Sequence, residues 1–318
     1  MPGTHRHDRP EPSHEHGHTH GAGGHSHGPA PAEQGFLPAT LLNLGFALAE
    51  GVAGLLGGSL ALIADAGHNL SDVLGLLVAW GAVRLSRRAP AGRRTYGFHR
   101  ASILAALGNA VLLLLVTGGI ALESLQRLGA PHPVPTGLMF WVALLGIGVN
   151  AGTALFFVRG GDVNRRAAFL HLAADAGVSA GVVAGAVLIG WTGWSWVDPA
   201  LGLAIGTVIL AGTWGLLRES LDLAMDAVPR GLDPAAVEAC LAGLPGVAAV
   251  HDLHIWPLST TETALTAHLV RPGAVLDDAF LATTAGLLAD RFGIRHATLQ
   301  VEAGDPSHPC SLAPAGTL

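Results

Sequence analysis

The sequence predicts a membrane protein in two parts, an all-α bundle of six transmembrane helices followed by a small α+β domain. Three observations carry that expectation. Half of the 318 residues are apolar and only 13% are charged, against roughly 25% charged in an ordinary soluble domain. Six apolar runs between Phe36 and Leu217 reach the length of about 20 residues that a bilayer demands. From about Asp226 the composition turns to that of a soluble domain, with one stretch alternating at strand period and another recurring at helix period.

Residues 1–35 read HRHDRPEPSHEHGHTHGAGGHSHG from His5 onward and lack the apolar core of a signal peptide. Their eight histidines, His5, His7, His14, His16, His18, His20, His25 and His27, alternate with Gly, Pro and acids that cannot bury a core. A disordered tail is expected, either a weak, plural collector of metal or a dispensable one, with no single histidine as a ligand. The spans follow over Phe36 to Leu56, Leu60 to Val83, Ala101 to Leu122, Leu138 to Val158, Ala167 to Ile189 and Trp196 to Leu217. Their apolar mass is Leu, Ala, Val and Gly, as befits helices that pack closely in lipid.

Arginine supplies the orientation, since basic loops stay in the cytoplasm. Arg84, Arg87, Arg88, Arg93, Arg94 and Arg100 follow the second span, Arg159, Arg165 and Arg166 the fourth, and Arg218 and Arg230 the sixth. The opposite connections carry only Arg127, and Trp191, Trp194 and Trp196 cluster there, where indoles suit a lipid interface. A multi-pass protein of the plasma (inner) membrane with both termini cytoplasmic is expected.

The domain over 226–303 opens with a helix started by Asp233-Pro234 and ending near Gly243. Val250 to Trp256 (VHDLHIW) and Glu262 to Val270 (ETALTAHLV) read as strands joined by a turn over Pro257 to Thr261. A helix over Asp277 to Phe292 and a strand over Ala297 to Glu302 complete it, and residues 304–318 form a loose tail. The only cysteines, Cys240 and Cys310, exclude a disulfide framework; Cys240 reads as a buried small hydrophobe. A net charge of −6 offers no reason to expect a nucleic-acid partner.

Ionisable residues within membrane spans are costly and therefore mark function. The second span holds ADAGHNLSD, which puts Asp65, His68 and Asp72 on one helix face, and the fifth holds HLAAD, with His171 and Asp175 in the same i, i+4 relation as His68 and Asp72. Two imidazoles and two carboxylates from two helices can close a tetrahedral shell of the kind Zn²⁺ takes, with Cd²⁺ or Co²⁺ admitted. On spacing alone a proton relay remains open.

The run NLGFALAEGVAGLLGGSLALIADAGHNLSD from Asn43 to Asp72, with TYGFHRASILAALGNA, HLAADAGVS and VHDLHIW, resembles the cation diffusion facilitator family in its zinc-transporting branch. The resemblance spans Phe36 to Glu302. It implies a homodimer, six helices per protomer and a cytoplasmic C-terminal domain of ferredoxin-like, metallochaperone-like build. It places the transport ligands on His68, Asp72, His171 and Asp175, with Asp65, Asn69, Glu50 and Asn43 as supporting or helix-packing groups. It also implies zinc ligands in the domain at His251, His268 and Glu302, with His308 and Cys310 of the tail as further donors. Gln300 stands where some members carry His, so a two-metal site is not expected, and His254 joins His251 only if its strand bends. The loop AGRRTYGFHRA has arginines and Phe98 where some members hold another metal, which leaves His99 an expected solvated side chain.

The expected activity is secondary export of Zn²⁺ in exchange for protons, with zinc as substrate and as a regulatory ligand, and with no organic cofactor. No G-x-x-x-x-G-K-[ST] motif calls for ATP. An intramembrane zinc hydrolase is disfavoured by the lack of H-E-x-x-H and by a shell with no open position for water. A membrane-bound zinc sensor leaves the buried His/Asp quartet without a purpose.

Overall fold

A computed structural model of the chain describes residues 36–157, 163–273 and 277–313. The histidine-rich tail and Arg159 lie outside the described residues. Six long helices come first: α1 (Phe36–Gly57), α2 (Leu60–Ser86), α3 (Ala101–Gly129), α4 (Thr136–Phe157), α5 (Val163–Thr192) and α6 (Val197–Ala224). All six are long and apolar enough to cross a membrane. α3 runs seven residues past its expected apolar end and α6 a further seven past Leu217, because a helix need not stop where hydrocarbon does. On the α3 extension the Arg127 guanidinium meets Glu123 at 2.8 Å, an i, i+4 pair that suits a helix leaving lipid.

α3 packs on α6 and α4 on α5, while α2 touches α1, α3, α5 and α6. Leu62, Met139, Val182, Ile205 and Ile209 form the core between them. Outward-facing Leu104, Leu115, Leu145, Leu155 and Val208 are exposed, as the absence of a hydrophobic drive between helices in lipid allows.

Two contacts clamp the turn between α1 and α2 at the end of the bundle remote from the C-terminal domain. A buried helix start leaves orphan N–H donors that require an acceptor. Asp198, at the first turn of α6 and 1% exposed, supplies one: Leu60 N donates to its Oδ2 at 2.8 Å, and Ser59 Oγ and Ala61 N donate to its Oδ1 at 2.5 and 3.3 Å. Negative charge also suits the positive end of the α2 dipole. On the other flank Arg127 Nη1 donates to Gly58 O at 2.6 Å. Gly58 turns the chain there with φ 66°, in the left-handed region where a side chain is disfavoured.

The C-terminal domain contains α7 (Pro234–Ala242), β1 (Ala249–Pro257), β2 (Thr263–Val270), α8 (Asp278–Phe292) and β3 (Ile294–Glu302). Asp233 caps α7 by accepting from Ala235 N, with Pro234 at the first helical position, and Asp277 caps α8 in the same way from Ala279 N. The sheet order is β1-β2-β3, with β1 and β2 antiparallel and β2 and β3 parallel through the α8 crossover. Val237 and Leu241 of α7, Leu288 of α8 and Leu265 and Leu269 of β2 are fully buried in its core. β1 is bulged between His251 and His254, where Asp252 takes φ 49°.

The α2–α3 loop and the first turn of α3 rest on this domain. Thr260 N donates to Ser102 Oγ at 3.1 Å, Arg100 pairs with Asp226, and Tyr96 meets His296 edge to face at 5.6 Å. His99, expected to be solvated, is instead 28% exposed and paired with the Glu262 carboxylate. The β1–β2 turn delivers that acid, a partner 163 residues distant in sequence.

Candidate metal centres

The spacing of four residues on two helices sets the first centre. His68 and Asp72 are one turn apart on α2, and His171 and Asp175 are one turn apart on α5. The helices run antiparallel, so His68 lies level with Asp175, and Asp72 with His171. His68 Nε2 stands 3.4 Å from Asp175 Oδ1, and His171 Nε2 stands 3.0 Å from Asp72 Oδ2. Along each helix the imidazole–carboxylate separations are 3.7 Å. A tetrahedral ion with bonds of about 2.0–2.1 Å needs ligand atoms about 3.3–3.4 Å apart. The observed separations bracket that value, and the two rings meet edge to face at 6.0 Å. His68, Asp72 and Asp175 each offer one donor atom within 4.8 Å of the others; the His171 donor, though 3.0 Å from Asp72 Oδ2, falls outside that group of three.

Exposure falls along the bundle axis. His171 is 50% and Asp72 34% exposed toward the C-terminal domain, whereas His68 is 22% and Asp175 6% exposed one level farther away. Beyond them sit Asp65 and Glu50, both 0% exposed, and next to His68 on α2 is Asn69, 7% exposed. Asn69 Nδ2 donates to Glu50 Oε2 at 3.3 Å and Asp65 Oδ1 at 3.5 Å, and Ser179 Oγ on α5 donates to Asp65 Oδ2 at 2.9 Å. Ser179 was not singled out from the sequence; it lies one turn beyond Asp175, which is the signal that could have found it. A Cβ on Gly146 of α4 would stand 3.1 Å from Ser179 Oγ and 2.8 Å from Phe46, so the bare backbone lets α4 close against both. Asn43 is half-buried near the start of α1, its Oδ1 buried without a hydrogen-bond partner.

A second centre lies in the C-terminal domain. His251 of β1 faces His268 of β2 across the antiparallel register, their rings 5.0 Å apart, and Glu302 ends β3 beside them. Glu302 Oε1 is 2.9 Å from His268 Nδ1 and 3.4 Å from His251 Nε2. Cys310 returns from the tail to put Sγ 3.5 Å from His268 Nδ1. The donor atoms of His251, His268, Glu302 and Cys310 all lie within 4.8 Å of one another. Burial pushes the Glu302 carboxyl upward, but bonds from the Cys310 thiol and the Gln300 amide, with His251 and His268 beside it, outweigh that and hold it below the usual carboxylate range.

Of the two tail donors anticipated, only Cys310 reaches the cluster. His308 is 84% exposed and contacts Asp305 at 3.2 Å, because Asp305 and Ser307 fold the tail into a local turn that points its ring to solvent. Gln300 donates to Glu302 Oε1 at 3.0 Å instead of facing the cluster as a ligand. The bulge turns Asp252 inward: its Oδ2 is 3.5 Å from His268 Nε2 and its Oδ1 2.9 Å from His254 Nε2. His254 thus meets the cluster only through Asp252. Alternation along VHDLHIW conceals Asp252, although an Asp amid interrupted strand period is a position where positive φ is tolerated. Cys240 is half-buried, with Arg291 Nη1 3.9 Å from its Sγ.

Comparison with known proteins agrees with both halves. Residues 37–223 match the cation efflux transmembrane domain, and residues 229–304 match the cation efflux protein cytoplasmic domain. The chain is 39% identical over 286 residues to the cation efflux system protein CzcD of Alcaligenes sp. (strain CT14), covering 89% of each. It is 37% identical over 265 residues to the zinc transporter ZitB of Escherichia coli (strain K12), covering 82% of this chain and 84% of that one. With the cadmium, cobalt and zinc/H(+)-K(+) antiporter of Bacillus velezensis (strain DSM 23117 / BGSC 10A6 / LMG 26770 / FZB42) it shares 32% identity over 275 residues, covering 84% and 88%. With six helices able to span a bilayer, a three-stranded α+β domain and these matches, the chain belongs to the cation efflux, or cation diffusion facilitator, family of membrane transporters.

Proposed function

We propose that the chain exports Zn²⁺ from the cytoplasm in exchange for protons, with the cation held in transit by His68, Asp72, His171 and Asp175. The observation that carries this reading is the agreement between the quartet's cross-helix separations, 3.0 and 3.4 Å, and the edge of a tetrahedral zinc shell. Two carboxylates and two neutral imidazoles make the loaded site neutral, which limits the cost of a dication in a low-dielectric bundle. Two nitrogens with two carboxylate oxygens favour Zn²⁺ and admit Cd²⁺ or Co²⁺, in keeping with the names of the relatives.

Protons compete with zinc for the imidazole lone pairs, so a site opening alternately to each side converts an inward proton gradient into outward metal flux. A relative named as an H(+) antiporter supports that exchange. The decline in exposure from His171 to Asp175 supports cation entry from the side of the C-terminal domain. The arginine-rich connections support a cytoplasmic position for that side and both termini, in a plasma (inner) membrane. The matched cytoplasmic domain supports a homodimer. The cluster of His251, His268, Glu302 and Cys310 serves as a regulatory zinc site there.

Vesicles reconstituted with the full chain and loaded with a zinc-sensitive dye test the proposal. Zinc uptake that follows an imposed pH gradient and vanishes in Asp175→Ala is expected. Uptake indifferent to the gradient would overturn proton exchange, and uptake surviving in the variant would overturn the quartet as the path.

A further inference from the structure

The connection between α2 and α3 carries a charge that the chain itself leaves unbalanced. No Asp or Glu occurs between Asp72 and Glu123, in a chain whose 23 acidic residues outnumber its 17 basic ones. The C-terminal domain reaches this loop with two carboxylates and takes two of its side chains: Glu262 pairs with His99, and Asp226 with Arg100. Arg84, Arg87, Arg88, Arg93 and Arg94 remain exposed, and among the described residues none of the five meets a carboxylate. Arg84 lies over the Trp80 ring at 5.7 Å and Arg94 over the Phe98 ring at 4.7 Å. Stacking uses the face of a guanidinium and leaves the N–H donors at its edge free for an anion. Five like charges gathered in one loop repel one another until counter-charge comes from outside.

Position along the bundle says which anion is at hand. α2 has 27 residues, a length of about 40 Å against a hydrocarbon layer of about 30 Å, and its apolar run ends just before Arg84. The turn that carries Arg84 and the cap residue Arg87 therefore stands at headgroup depth. One turn deeper, Trp80 is 59% exposed on the outer surface of the bundle, where an indole suits the membrane interface. Past the helix the chain doubles back: Ala91 and Arg94 exchange backbone hydrogen bonds of 3.3 and 3.1 Å across Gly92, whose φ is 56°. That turn holds Arg93 and Arg94 at its tip, beside a shallow cleft of about 300 Å³ lined by Pro90, Ala91, Gly92, Arg94 and Thr95. A soluble polyanion would engage the arginines alone. An exposed indole beneath the first of them suits a ligand with both a charged head and an acyl chain.

We propose that the α2–α3 loop is a binding site for anionic phospholipid in the leaflet beside the C-terminal domain, with headgroup phosphates on Arg84, Arg87, Arg88, Arg93 and Arg94 and an acyl chain along Trp80. The site is separate from both metal centres and stands whether or not zinc is exchanged for protons. It gives the loop two attachments. The arginines hold the membrane surface, while Tyr96, His99, Arg100 and Ser102 hold the C-terminal domain through His296, Glu262, Asp226 and Thr260. Bound lipid thereby ties that domain to the bilayer.

Quenching of tryptophan fluorescence by brominated acyl chains tests it. The full chain is reconstituted in vesicles of phosphatidylcholine and phosphatidylglycerol in which one lipid or the other is brominated, and the Trp80 signal is taken as the difference between wild type and Trp80→Phe. At equal mole fraction, brominated phosphatidylglycerol should quench Trp80 more than brominated phosphatidylcholine, and added salt should narrow the gap. The triple variant Arg87→Gln, Arg88→Gln, Arg93→Gln should lose about five-fold in relative affinity for each arginine removed. The corresponding triple change to Lys keeps the charge and should keep most of the preference, and Arg166→Gln, an exposed arginine on α5, should leave it unchanged. Equal quenching of wild type by the two lipids overturns the proposal, as does a preference that survives the glutamine triple or that Arg166→Gln reduces as strongly. A preference abolished by inorganic phosphate at matched ionic strength overturns it too, by assigning the arginines to a soluble anion. Should the glutamine triple fail to fold, Arg93→Gln at the turn tip decides, with about a five-fold loss expected and no loss contradicting it.

Discussion

Replacing Asp175 by Asn removes one charge from the zinc quartet and almost nothing of its shape. Asp175 is 6% exposed, so no water replaces the lost carboxylate, and its oxygens stand 3.4 Å from His68 Nε2 and 3.7 Å from His171 Nε2. The loaded site, neutral in wild type, is left with an uncompensated positive charge. Removing one partner from a buried charge pair costs about 3–5 kcal/mol, which at about 1.4 kcal/mol per decade weakens zinc about 10²- to 10⁴-fold. Asp72, 34% exposed, borrows solvent, and Asp72→Asn should cost less. The assay is zinc competition against a chromophoric chelator on the full chain carrying His268→Ala, which disables the second cluster and leaves the quartet to be read. Thermal unfolding without metal checks that Asp175→Asn still folds. Zinc affinity within three-fold of the parent would refute the placement of the cation between α2 and α5.

Other outcomes follow from the same geometry. His68→Asp should weaken the preference for zinc over cadmium in competitive vesicle uptake if the imidazole is the selecting ligand; an unchanged preference argues against that role. Glu302 has its folded value depressed below the ordinary 4.5, so its contribution to stability is present above that pH and lost as pH falls through the folded value. The melting difference between wild type and Glu302→Gln should therefore be larger at pH 6 than at pH 3.5, and a difference that grew on acidification would contradict it. Asp198→Asn weakens a charged acceptor of three hydrogen bonds at the start of α2 and should cost about 1–3 kcal/mol, read as a lower melting temperature in detergent with the zinc Kd unchanged.

The bundle was legible because lipid leaves few options: about 20 apolar residues make a span, and every second connection between the six runs is rich in arginine. The helix ends were less so. Glu123, Arg127 and Glu219 look like loop residues, yet α3 and α6 continue through them. His68, Asp72, His171 and Asp175 were visible as pairs one turn apart, because a charge in lipid needs a reason. What the spacing withheld was everything that depends on a distant partner. Nothing near His99 announces Glu262, and nothing near Ser59 announces Asp198, 139 positions away. The bulge that turns Asp252 toward His268 breaks a strict two-residue period, so alternation pointed it elsewhere. His308 and Cys310 are two residues apart and equally plausible as donors by sequence; the Asp305–Ser307 turn sends one to solvent and the other to the cluster.

The most direct test is a zinc-edge anomalous difference map of the full chain crystallised with zinc. The account predicts a peak between α2 and α5, about 2.0–2.1 Å from His68 Nε2, His171 Nε2 and one oxygen each of Asp72 and Asp175. A peak at the His251, His268, Glu302 and Cys310 cluster with no density at the quartet would contradict it.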